Sequence, residues 1–309
     1  MTEFLSEVVL DCIIDSVKLF PFIFLTYLVM EIIEHKAGKK LESAASKAGR
    51  LGPLFGGLLG AIPQCGFSAA AAGLYSGRLI SVGTLLAIFL STSDEMIPVM
   101  LSSAVVQKAG WTVPLKLLAV KVVCAVIAGF AVDLVIGLAG KNKTAAVSDE
   151  PEEEICEMCE HDHCKCGEHG VFLSALIHSA KILGFIAAVM FAVGTAIFLL
   201  EQNGIDKEAI GGFIKGLPVL GEFITGLIGL IPNCAASVIL TELYAEGVIN
   251  AGQALSGLFA GAGVGVLILF RTNRGRLREN MLILLTLYLT GVGFGLLFNL
   301  TGLAGLLGL

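Results

Sequence analysis

The chain has 309 residues, of which 56% are hydrophobic and 15% charged, with a mean hydropathy of +0.87 and a formal net charge of −6. Soluble domains carry about 25% charged residues, so this composition lies outside the soluble range and describes an all-α polytopic membrane protein. The net charge is spread over loops and one acidic linker, says little about partners, and gives no reason to expect a nucleic acid among them.

Apolar runs at 8–34, 52–75, 80–106, 113–139, 171–200, 219–244, 250–270 and 281–308 approach or exceed the ~20 residues that a helix needs to cross a bilayer. The 38 glycines then read as sites of close helix packing and helix breaks. Residues 1–7 have neither a basic n-region nor a small-residue cleavage site, so the first helix is expected to stay in place.

The first span, 8–34, carries Asp15 and Lys18 one turn apart; 171–200 carries His178 and Lys181 at the same spacing. Such a pair fits a helix end at the interface, where lysine reaches out to water, or a lining of the pathway. The loop 35–50 holds Lys36, Lys39, Lys40, Lys47 and Arg50, which the positive-inside rule places in the cytoplasm, leaving the amino terminus outside.

The next run holds the stretch on which the chain is organised. Residues 57–75 return as 226–244 at a constant offset of 169, with nine of nineteen residues identical, among them Pro63 and Pro232, Cys65 and Cys234, and Ser68 and Ser237. Gln64 and Asn233 stand between proline and cysteine in the two copies. A proline removes a backbone donor and frees a nearby carbonyl, so each copy reads as a membrane helix broken at Pro-x-Cys. Paired interruptions at corresponding places of two halves are the best sequence pointer to a transporter's binding site.

Equivalent loops of the two copies carry opposite charge bias. The loop 35–50 is basic, whereas 201–218 has Lys207 and Lys215 against Glu201, Asp206 and Glu208; 271–278 has Arg271, Arg274, Arg276 and Arg278, whereas 102–112 has only Lys108. That is the pattern of two inverted repeats, which requires an odd number of crossings in each half. The expected architecture has about five transmembrane or half-helix elements per half. A first repeat covers 1–140, a linker 141–170 and a second repeat 171–309. Either 52–75 or 80–106 must then split or dip back, and four spans per half in a parallel arrangement is the fallback.

The run 80–106 is interrupted by Ser91, Thr92, Ser93, Asp94 and Glu95, where the second copy has 260–264, Ala-Gly-Ala-Gly-Val. Acids inside an apolar run are costly, and are read as binding a cation or taking up protons unless the break reaches water. Lys116, Lys121 and Asp133 in the following span are available as counter-charges, and Cys12 and Cys124 read as packing residues.

The linker is acidic and polar, with too little apolar surface to fold as a domain, and five crossings before it would put it in the cytoplasm. Within it lie Cys156, Cys159, His161, His163, Cys164, Cys166 and His169, at CxxC and CxC spacings. In a reducing compartment this is a ligand set for a soft or borderline ion such as zinc or copper(I), set against the plain alternative of a hydrophilic tract rich in Cys and His.

Cys65 and Cys234 are each two residues past a helix-breaking proline. Packed about a pseudo-twofold axis, they would present two thiols with Gln64, Asn233, Ser68, Ser237 and freed carbonyls to one midplane cavity, with plain helix packing as the alternative. Neither a Walker-type phosphate loop nor a dinucleotide fingerprint is present, so neither an ATP-driven pump nor an enzyme is expected, and no cofactor is required.

On the duplicated Ile-Pro-Gln-Cys and Ile-Pro-Asn-Cys stretches, the Ser-Thr-Ser-Asp-Glu run and the Cys/His linker, the chain resembles over essentially its whole length the ten-helix heavy-metal exporters. These are distantly similar to the arsenic permeases and are labelled arsenic efflux or manganese transport proteins. The resemblance implies a multi-pass efflux protein of the bacterial inner membrane, with the family's Pro-x-Cys positions at Cys65 and Cys234. The expectation is a secondary transporter that exports a metal or metalloid, with Ser91, Asp94 and Glu95 beside the paired breaks, membrane lipid around it and the oligomeric state open. Arsenic(III) would use the thiols, and manganese the acids, amides and carbonyls. A small organic anion held at half-helix amino termini and a membrane metal sensor or delivery protein are the rival classes.

Overall fold

The computed structural model describes residues 51–62, 65–93, 112–138, 171–202, 219–232, 234–245 and 247–302, with positions 9, 10, 13, 14, 17, 20, 21, 24, 25, 28, 96, 97, 100 and 305. Every element among them is helical: α1 Gly52–Gly60, α2 Cys65–Ser76, α3 Val82–Ser91, α4 Thr112–Leu138, α5 Val171–Gln202, α6 Leu220–Gly229, α7 Cys234–Ala245, α8 Ala251–Ala260, α9 Val264–Thr272 and α10 Leu277–Thr301, with a 3-10 turn at Arg274–Arg276.

Local chemistry sets the bounds of these helices. Pro53 opens α1 where its missing N–H costs nothing. Ser81 caps α3 by accepting from the Thr84 N–H at 3.1 Å. Asn250 caps α8 through a reciprocal box, accepting from the Gln253 N–H at 2.8 Å while the Gln253 side chain accepts from the Asn250 N–H at 3.1 Å. The two caps are 169 residues apart.

The same offset relates α2 to α7 and α3 to α8, end for end. The turn after α2 is copied as well. Leu79 N–H donates to Leu74 O at 2.9 Å as Val248 N–H does to Leu243 O at 2.9 Å, and the residue that turns the chain has a positive φ in both copies, 56° at Arg78 and 72° at Gly247. Glycine adopts that conformation freely; an L side chain there costs roughly 1 to 2 kcal/mol.

Packing repeats along with the bounds. α1, α3 and α4 contact one another, as do α6, α8 and α10. A Cβ on Gly60 would collide with the Ile88 carbonyl, and one on Gly229 with the Gly257 carbonyl, so each crossing requires glycine at the same place. Further along, Gly83 lies against Gly129 and Asp133, and Gly252 against Gly295 and Asn299, the offset of the last helix being 166. The halves also interlock, α2 lying along α9 and α3 touching α8 and α10.

All ten residues of α3 and all ten of α8 are buried, which makes this pair the centre of the bundle. A ten-residue helix is only about 15 Å long, half of the ~30 Å hydrocarbon thickness. By contrast α4, with 27 residues, and the 28-residue segment Arg274–Thr301 are long and apolar enough to cross a membrane, as is Ala251–Thr272 taken through its break. Leu115, Val123, Ile127, Leu134 and Val135 of α4, and Leu282, Leu285, Leu289 and Leu297 of α10, are exposed, so each of these two helices keeps an apolar face turned away from the described bundle.

Candidate substrate pathway at the helix breaks

The break after α3 is made by three hydroxyls that turn back on the helix. Ser91 Oγ donates to Ile88 O at 3.1 Å, Thr92 Oγ1 to the same carbonyl at 2.7 Å, and Ser93 Oγ to Ser91 O at 2.9 Å, while Thr92 leaves helical geometry with φ −51° and ψ 128°. Such local bonds compete with the helical ladder and end it. The break after α8 is made by small residues instead: Gly261 N–H donates to Gly257 O at 3.0 Å, and Gly263, with φ 53°, starts α9.

Lys121 of α4 joins the two breaks. Its side chain is fully buried, and its Nζ donates to Thr92 O, just past α3, and to Leu258 O in the last turn of α8, the second at 2.7 Å. The Phe259 ring centroid lies 5.9 Å from the ammonium. The final carbonyls of a helix lack intrahelical partners and carry the negative end of its dipole, so both acceptors suit a cation. Burying an ammonium is expensive, and charge-assisted bonds to two such ends offset the cost.

Ser68 of α2 is fully buried, and its Cβ and carbonyl lie where a Cβ on Gly265 of α9 would fall. Ser237 of α7 is half-buried; a Cβ on Gly261 would stand 3.4 Å from its Oγ and 3.6 Å from Gly229 O at the end of α6. Ser237 and the ends of α6 and α8 therefore share one place, and Ser68 lies at the start of α9. Ser91 takes part in ending α3. Pro232 is half-buried in the bend after α6, and Cys65 and Cys234 are the first residues of α2 and α7.

The remaining expected ligands, Pro63, Gln64, Asp94, Glu95 and Asn233, lie outside the described residues, as do the linker residues Cys156, Cys159, His161, His163, Cys164, Cys166 and His169 and the side chains of Cys65 and Cys234. Among the described residues no group of three His, Cys, Asp or Glu side chains is placed to hold a metal ion. Cys124 is buried, in keeping with a packing role, and Lys116 is exposed. Asp133, read from the sequence as a counter-charge, caps α3, accepting from Ser81 Oγ at 2.7 Å and from the Gly83 N–H at 2.8 Å.

Two polar sites lie outside every motif of the sequence. Arg78, 4% exposed, donates to both carboxylate oxygens of Glu279 at 2.6 and 3.1 Å, Tyr75 donates to the same carboxylate, and the Ser76 and Thr272 hydroxyls are 2.5 Å apart. Burial opposes the Arg78 charge, yet its bond to Glu279 and the charges around it win, and its pKa stands above the ordinary value. The only available hint was that Arg78 replaces the glycine of the other copy. The second site is Glu222 of α6, fully buried, with Oε1 accepting from Asn299 Nδ2 at 2.7 Å and Oε2 without a partner among the described residues.

Residues 4–220 match the family model described as "Putative, 10TM heavy-metal exporter". The chain belongs to that family. Membership in this exporter family makes it a multi-pass membrane protein associated with export of a metal ion. The matched region runs from the first span through the linker to the start of α6. No curated protein and no solved structure matches the chain.

Proposed function

We propose that this exporter is a secondary transporter that moves a heavy metal or metalloid, arsenic(III) species first among them, out across the bacterial inner membrane. The observation that carries this reading is the meeting of two buried half-helices, one from each half of the chain, at Lys121, because broken helices that meet inside a bundle are where transporters hold their cargo. The halves act as inverted repeats, with both termini outside and the linker in the cytoplasm.

The thiols of Cys65 and Cys234 bind a soft centre, with Gln64, Asn233, Ser68 and Ser237 around them, and Asp94 and Glu95 handle charge. The linker Cys/His set collects a soft or borderline ion without being part of the pathway. Manganese is the second reading, in which Asp94, Glu95, Gln64, Asn233 and freed carbonyls give a hard ion its oxygen ligands.

Binding and efflux of arsenite and manganese, measured side by side on Cys65→Ser, Cys234→Ser, Asp94→Asn and Glu95→Gln, separate the two. Under the thiol reading each serine variant loses arsenite efflux, because an alcohol is a poor ligand for a soft centre, and the acid variants still bind it. Under the manganese reading the acid variants lose binding and the serine variants stay active. Full activity of all four with both ions refutes this placement of the site.

A further inference from the structure

α2 of the first half and α9 of the second run side by side in the same direction. Ser68 of α2 lies against Gly265, where α9 begins, and the Ser76 hydroxyl at the end of α2 is 2.5 Å from that of Thr272 at the end of α9. One end of this seam between the halves adjoins the break after α8. The other end, about 14 Å away for a nine-residue helix, is the turn that carries Arg271, Arg274, Arg276 and Arg278.

At that far end the halves are tied by charge. Arg78 donates to both carboxylate oxygens of Glu279, Tyr75 donates to the same carboxylate, Arg276 stands 3.8 Å from it, and the Arg78 guanidinium lies 5.0 Å from the Tyr75 ring centroid. Arg78 is held at φ 56°, a conformation that the other copy gives to Gly247. Backbone strain of this kind persists where the surrounding structure enforces it, and it clusters at functional sites. The other copy has no such tie at the equivalent place. Gly247 stands where Arg78 does, and no Asp or Glu occurs in 96–132, which covers the counterparts of 265–272 and of Glu279. The Tyr244 hydroxyl, equivalent to that of Tyr75, is buried without a partner among the described residues.

Resting on the transporter reading above, we propose that the Arg78–Glu279 cluster is a one-sided gate: it holds the α2–α9 seam shut at the face of the basic turn, and the halves part there only when the ion pair opens. In the proposed topology that face is cytoplasmic, so the conformation seen here is the one shut on the loading side. Cargo then favours the open state by binding it better. A buried bidentate pair suits a gate, because its two parallel bonds fix one closed geometry and its separated charges need the water that an opening seam admits.

Arg78→Gly with Glu279→Gln tests the gate, since it removes both charges, leaves neither member of the pair uncompensated and gives the turn the glycine of the other copy. Ser76→Cys on the gate side and Ala245→Cys, its equivalent at the offset of 169, are each introduced into this double variant and into the otherwise unaltered protein. Both sites are labelled in detergent with a water-soluble maleimide and read by peptide mass spectrometry. Inverted repeats that rock about a fixed site open one face as the other closes, so loss of the pair should speed labelling several-fold at position 76 and not at 245. An unchanged rate at 76, or faster labelling at both, overturns the gate. Labelling needs no cargo, so it decides the gate even if neither arsenite nor manganese is moved and the export reading fails. With an ion that the unaltered protein does move, the double variant should take it up into inside-out vesicles with a several-fold lower KM, because a larger share of molecules is open to loading. An unchanged or higher KM overturns the gate's control of loading.

Discussion

The two halves of the chain agree in backbone and differ in charge. α2 and α7, and α3 and α8, have the same bounds at one offset, the caps at Ser81 and Asn250 coincide, and the turns at Arg78 and Gly247 share their hydrogen bonds. Against this common frame, Arg78 faces Glu279 where the second half has Gly247 and a buried Tyr244 hydroxyl without a partner among the described residues. Lys121 stands opposite Leu287, Asp133 opposite Asn299, and Glu222 opposite Pro53. A duplicated frame needs matching glycines and caps, because backbone clashes and unsatisfied N–H groups penalise both copies alike. Charged side chains are under no such constraint, and each half has placed its own.

If that contrast is right, the largest effect on stability should come from breaking an unmatched charge. Glu279→Ala leaves the buried Arg78 guanidinium without its carboxylate and should cost about 3 to 5 kcal/mol in denaturant unfolding of the detergent-solubilised protein. Arg78→Gly with Glu279→Gln, which removes both charges and relieves the positive φ, should cost clearly less. An equal loss would mean that the pair is incidental to stability.

Next come the crossings that the halves share. Gly60→Val and Gly229→Val each drive a side chain into a carbonyl of the neighbouring helix and should cost roughly 1 to 3 kcal/mol or more, and by similar amounts. A large loss at one and none at the other would break the equivalence of the two triads. Smaller again are the caps: Ser81→Ala and Asn250→Ala should each cost about 1 kcal/mol, with Ser81→Ala the greater because its hydroxyl also bonds Asp133. Last, replacing 150–169 with a flexible spacer should leave efflux measurable. Complete loss at normal expression would move the essential chemistry into the linker and favour a sensor or delivery role.

The all-helical class, the membrane-length runs at 113–139 and 281–308 and the duplication are legible in the amino-acid order, because apolar length and breakers act within a few residues. Proline at the head of α1, serine or asparagine before α3 and α8, and a glycine in the turn after α7 are signals that a chain carries locally. The tertiary structure alone decided which polar groups meet. Arg78 and Glu279 are 201 residues apart and Lys121 and Leu258 are 137 apart, and nothing near any of them in the chain names the partner. The sequence offers Lys121 as a counter-charge for an acid, and packing places its ammonium on two carbonyls, because α4 crosses where α3 and α8 both end. Helix bounds follow from local backbone chemistry, whereas the partner of a buried charge follows from which helix ends the fold brings within a hydrogen bond of it.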